Sequence, residues 1–94
     1  MTAKALRYFV TEFRKGILDG GPSMLMCYVV CWPLQALLSV EGVETDLVKG
    51  TVGDQEHYWL KLPDGRIIDP TADQFPNLPS VYIGKQPTNY VECQ

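Results

Sequence analysis

Three side chains in this sequence can together carry out nucleophilic chemistry: the thiol of Cys27, the single histidine His57, and Asp69, twelve positions beyond the histidine and locked in front of Pro70. A thiolate is a strong nucleophile, an imidazole moves protons near neutral pH, and a carboxylate beside an imidazole fixes its tautomer and favours its protonated form. The chemistry requires all three on one face of the fold. The stretch HYWLKLPDGRIIDPTADQF, residues 57–75, decides whether two of them meet.

With a two-residue loop, Asp64-Gly65, Leu60 would pair with Asp69 and His57 would point to the opposite face. A three-residue loop, Pro63-Asp64-Gly65, is the better turn. Proline suits the first central position of a type I turn, aspartate the second, and glycine the left-handed position that closes a bulge. Leu62 then pairs with Arg66 and Trp59 with Asp69, and His57 becomes the diagonal neighbour of Asp69 on the same side, their Cβ atoms within about 7–8 Å. Trp59, Lys61 and Ile67 share that face, while Tyr58, Leu60, Leu62 and Ile68 line the other.

Of the three cysteines, Cys27 is the best nucleophile. It falls in the first turns of an apolar helix, where the positive end of the helix dipole and a nearby imidazolium both favour thiolate. Cys31 lies one turn deeper, where an apolar core raises its pKa, and Cys93 stands in the terminal two residues.

The elements that must position these residues follow from periodicity. Leu6, Phe9, Val10, Phe13 and Ile17 recur at helical spacing, with Thr2 able to cap the start, and predict an amphipathic first helix. DGGPS, residues 19–23, ends it and offers Ser23 as the cap of a second helix running to about Val40, kinked at Pro33 and packed on all sides. From Val43 the period becomes two. Strands are expected over 43–52, 55–62 and 66–69, with a further short one over 80–83. The order of helix, helix, antiparallel sheet predicts one α+β domain over residues 1–94, with a sheet of three to four strands.

Composition excludes some partners. The net charge of −3 and pI near 4.9 leave no basic excess for nucleic acid. The charged N-terminus shows no signal-peptide pattern, and an odd number of cysteines suits a reducing, cytoplasmic setting. The uncharged run 24–40 is short for a bilayer span of about 20 residues and contains Pro33, so no membrane partner is expected.

The residues also resemble a family: the transglutaminase-like branch of the papain-like thiol enzymes, which carries Cys, His and Asp in that chain order. The resemblance covers roughly residues 20–75. It rests on Cys27, Cys31, Leu34, Leu37-Leu38 and Gly42-Val43, then His57-Tyr58-Trp59, then Asp69-Pro70-Thr71, with HYWL and DGRIIDPTADQF its most specific parts. It implies a papain-like core and a thiol-dependent amide hydrolase or acyl transferase acting on a protein or peptide. In that scheme Cys27 is the nucleophile, His57 the base and Asp69 the residue that orients it, with no cofactor. Trp59 and Gln74 are candidates for substrate contact, and Gln74 and Phe75 for the site's rim. Two departures stand out. The family commonly has glycine where this chain has Leu25. It also commonly supplies an oxyanion-stabilising glutamine or aromatic from upstream, and the loop before Cys27 has no glutamine, asparagine or tryptophan.

Other roles compete for the same residues. His57 can be a half-buried strand histidine, Cys27 a small core residue, and Asp69-Pro70 plain turn chemistry. Trp32 and Trp59 read as core, and Asp64, Arg66 and Asp73 as solvated turn residues. Cys27, Cys31, His57 and Asp69 are ligand types zinc accepts, but Cys-x3-Cys is not a zinc-knuckle spacing and there is no second histidine. The chain can also be a binding module, an inhibitor of a host protein that keeps the fold without the activity.

Overall fold

The computed structural model describes residues 1–93 and contains two helices and a five-stranded sheet among them. Helix α1 spans Ala3–Leu18, opened by Thr2, whose hydroxyl accepts from Ala5 N at 3.0 Å. Helix α2 spans Cys27–Val40, and strands β1 to β5 span Asp46–Val52, Gln55–Lys61, Ile67–Asp69, Tyr82–Gly84 and Tyr90–Glu92. All neighbours pair antiparallel, in the order β4-β3-β2-β1-β5. The α+β class is as the sequence predicts, but the sheet has one or two more strands than expected. The unforeseen one, β5, is three residues long and pairs only at the end of β1, so no alternation marks it.

The β2–β3 turn takes the three-residue form. Leu60 pairs with Ile68 and Lys61 with Ile67, the Leu62 N–H donates to the Arg66 carbonyl at 2.8 Å, and Gly65 sits at φ +92°. Asp64 reinforces the turn by accepting from the Arg66 N–H at 3.0 Å and from Arg66 Nε at 2.8 Å. The two turn side chains therefore serve each other at the surface.

Helix α2 departs from expectation in two ways. It opens on Cys27 rather than near Ser23, because Leu25 at φ +63° breaks the helical backbone between them. It continues through Pro33 to Val40. Proline's missing N–H leaves the Val29 carbonyl unmatched, and Val29 lies on the half-exposed side where water can reach it. Nor is the helix packed on all sides. Val30, Cys31, Leu34 and Leu38 are buried against the sheet, while Val29 and Trp32 face outward, Trp32 60 % exposed. The helix ends in a Schellman motif, Val43 N–H to Leu38 carbonyl at 2.8 Å, with Gly42 at φ +83°.

The sheet carries a core on each face. On one face Leu60, Leu62 and Ile68 pack with Leu6, Val10, Cys31, Leu34 and Leu38 of the two helices. Val52, Trp59, Ile67 and Tyr90 form the second core, with Phe75, Leu78 and Tyr82 against it. No helix among the described residues is long and apolar enough to cross a membrane.

Candidate active site

Period two on β2 sends His57 and Trp59 to the same side, into the second core, while β3 places Asp69 opposite Trp59. His57 and Asp69 are both fully buried, with His57 Nε2 at 2.7 Å from Asp69 Oδ2. A carboxylate only accepts, so Nε2 carries the proton and Nδ1 is left to face elsewhere. Asp69 is held on all sides. Its Oδ2 also accepts from the Tyr90 hydroxyl at 2.6 Å, and its Oδ1 from the Thr71 N–H at 3.0 Å. Thr71 serves Asp69 because Pro70 turns the chain back over the carboxylate, which gives the D-P-T sequence a local purpose.

Aromatic rings seal the imidazole. Phe75 meets it edge-on at 4.8 Å between centroids, Tyr90 edge-on at 6.1 Å, and Trp59 stacks at 6.1 Å. Trp59 is itself fully buried and so presents no surface to a substrate; it shapes the site from beneath. Gly50, opposite His57 on β1, makes room for the Trp59 indole, since a Cβ there would overlap that ring and the Val91 carbonyl.

Cys27 reaches this pair because β3 stops at Asp69. The N–H and carbonyl of Leu62 point toward β3, so by the alternation of an antiparallel ladder those of Tyr58 do too, at a height where β3 has already left. The first turn of α2 fills that position. Cys31 Sγ donates to the Tyr58 carbonyl at 3.7 Å, and the Tyr58 N–H is directed at the Cys27 sulfur. Cys27 stands half-buried at the first helical position, beside the imidazole, whose Nδ1 has no hydrogen-bond partner among the described residues.

The electrostatics follow from these contacts. Burial raises the Cys27 thiol pKa, but the His57 ring, the Tyr58 and Tyr28 N–H groups and the His57 charge outweigh it, and the net shift is downward. Burial opposes the imidazolium too, yet the bonds and charges of Asp69 and Cys27 raise His57 from 6.5 to about 9. Cys31, fully buried and with Asp69 and Cys27 nearby, is pushed well up. The two helical thiols are thus shifted in opposite directions. Cys93 is exposed at the end of β5, its N–H donating to the Lys49 carbonyl at 3.0 Å.

The loop before Cys27 is anchored by the turn after Asp69. Asp73, exposed in its turn as the sequence suggested, also accepts from Ser23 and pairs through Oδ2 with Arg14 at 2.8 Å. Gln74 Oε1 accepts from the Leu25 N–H at 3.1 Å. Leu25 lies at φ +63°, the left-handed region that favours glycine. Beyond Cys27 an open apolar groove of about 650 Å³ runs along α2, lined by Tyr28, Val29, Trp32, Pro33 and Ala36.

Sequence reasoning named Cys27, His57, Asp69 and Gln74 and missed Tyr90, Ser23 and Asp73. No local pattern marks Tyr90, which arrives on the unforeseen β5. Among the described residues no three His, Cys, Asp or Glu side chains converge as a metal site would need. Compared with protein-family models, curated proteins and solved structures, the chain matches none.

Proposed function

We propose that this protein is a thiol-dependent amide hydrolase or acyl transferase of the transglutaminase-like, papain-like kind, acting on a protein or peptide. One observation carries the reading: a buried histidine bonded through Nε2 to a fourfold-held carboxylate presents its other nitrogen to a thiol at a helix start, and that thiol's pKa is lowered. Cys27 attacks the carbonyl carbon as thiolate, and the His57 imidazolium gives its proton to the departing amine. The thioester left on Cys27 then passes to water or to an acceptor amine, with His57 taking the acceptor's proton. Asp69 keeps the ring in register throughout.

The exposed apolar face of α2 favours a second reading, a binding module that engages a partner without changing it. A pull-down of the partner with wild type and with Cys27→Ala separates the two. Cleavage, deamidation or crosslinking of the partner by wild type alone is the expected result. A partner held equally by both proteins and left unmodified would sink the enzyme reading.

A further inference from the structure

Acyl chemistry at Cys27 needs donors for the oxygen that becomes negative when sulfur bonds to the carbonyl carbon. The Cys27 N–H is one such group, first in a helix whose cap residue, Met26, makes no side-chain bond. No asparagine, glutamine or tryptophan precedes Cys27. The second donor must therefore come from a segment that the fold brings back to the loop before Cys27.

We infer that the side-chain amide of Gln74 is that donor. The short helical turn Ala72–Gln74 follows Asp69-Pro70-Thr71 directly, so the strand that delivers the carboxylate also carries Gln74 to the nucleophile's loop. The Oε1 bond to Leu25 N–H fixes which way the amide faces, because an N–H can only be met by the oxygen. Nε2 is then turned away from that bond, buried, and without an acceptor among the described residues. A buried donor left unmatched is destabilising, and a carbonyl oxygen turning into an oxyanion beside Cys27 would supply its missing partner. Two of the buried polar atoms without partners, His57 Nδ1 and Gln74 Nε2, thus belong to residues that adjoin Cys27 or its loop, one suited to take a proton and the other to give a hydrogen bond.

The step balances with the chain's own groups. The thiol proton resides on His57 Nδ1, and the Sγ–C bond forms as the carbonyl π pair moves to oxygen. That oxygen accepts from Cys27 N–H and Gln74 Nε2. Collapse restores the carbonyl and breaks the bond to the leaving amine, which takes the proton from His57 Nδ1.

This inference rests on the acyl-transfer reading, and two reagents keep the two apart. Iodoacetamide alkylates a thiolate by displacement and develops no oxyanion, whereas p-nitrophenyl acetate acylates through one. Gln74→Glu keeps the oxygen for Leu25 and replaces the donor with an acceptor. We expect it to slow acetylation of Cys27 by about 10²-fold, while alkylation, compared at equal thiolate fraction from its pH profile, stays at the wild-type rate. If the glutamate variant does not fold, Gln74→Met, which removes the donor and the acceptor for Leu25 together, provides a second comparison of the two rates. Equal rates in both assays, or equal losses in both, would show Gln74 to be a loop anchor only and overturn the inference. A wild type that is alkylated at Cys27 but never acetylated there would overturn the acyl-transfer reading, and this inference with it.

Discussion

At the scale of single residues, the site is a coupled pair of titrating groups whose effects on stability run in opposite directions. His57 has a folded pKa raised from 6.5 to about 9, so its contribution is full below 6.5 and is lost as pH rises toward 9. Cys27 has a folded pKa below 9.0, so its contribution is present above 9.0 and is lost as pH falls through the lowered value. Between those limits the two oppose each other, so wild-type stability should change less with pH than that of a variant keeping only one of them. Cys27→Ala removes one side of the balance while Asp69 still raises His57, so its melting temperature should fall visibly as pH rises above 6.5. A variant as flat as wild type would mean that the imidazole and the thiol are not linked. Leu25 allows a second test at this scale. It holds φ +63° with its side chain 80 % exposed, so it carries left-handed strain of about 1–2 kcal/mol with little packing in return. Leu25→Gly should relieve that strain, lose about 0.5–1 kcal/mol to backbone entropy, and raise the denaturation midpoint slightly; a fall would show that the leucine side chain contributes more than its exposure suggests.

At the scale of elements, β5 gives the site a group no other strand offers. Tyr90 is buried, and its hydroxyl meets the same carboxylate oxygen as His57. Burial first, then the Asp69 charge and bond, push the phenol pKa upward, so it stays a donor through the physiological range. Tyr90→Phe deletes one bond to a carboxylate and should cost about 1.5–3 kcal/mol in urea denaturation, with the ring's contacts to Trp59 and His57 kept. An unchanged midpoint would mean that Asp69 is fully served by His57 and Thr71. The elements also divide by how local their causes are. Pro63-Asp64-Gly65 fixes the β2–β3 register through its own turn chemistry, so the meeting of His57 with Asp69 is legible in the amino-acid sequence. Thr2 as a cap and Gly42 as a stop are equally local. Strand β5 is not legible there, because three residues after Pro87 pair only with the far end of β1, and that pairing depends on Gly50 having no side chain. The outward turn of Trp32 is hidden for a different reason: an all-apolar helix has no polar stripe from which to read its exposed face.

At the scale of the whole molecule, the three site residues come from separate parts of the chain, and a surface network holds those parts together. Arg14 on α1 bonds Asp73 at 2.8 Å and the Ser80 carbonyl at 2.9 Å, Arg7 reaches the Val81 carbonyl at 3.2 Å, and Ser23 donates to the other oxygen of Asp73. Helix α1 carries no candidate catalytic residue, yet through Asp73 it holds the loop that leads to Cys27. Burial raises the Asp73 pKa, but the Ser23 and Arg14 bonds and the Arg14 charge outweigh it, and the net value lies below the ordinary carboxylate range. A depressed folded pKa contributes stability that is present above the unfolded value and lost as pH falls through the folded one, so this clamp should loosen in acid. Asp73→Ala should imitate acid at neutral pH. It leaves the Ser23 hydroxyl and one face of the Arg14 guanidinium without their acceptor, and hydrogen exchange over residues 20–26 should quicken while the β1–β2 ladder stays protected. Because the helix start and His57 lower the Cys27 pKa only while α2 is seated against β2, the same variant should shift the alkylation profile of Cys27 toward an ordinary thiol. Faster exchange with an unmoved alkylation profile would place the seating of α2 in the buried contacts of Val30, Cys31 and Leu34 alone, and would remove α1 from any part in setting the reactivity of the site.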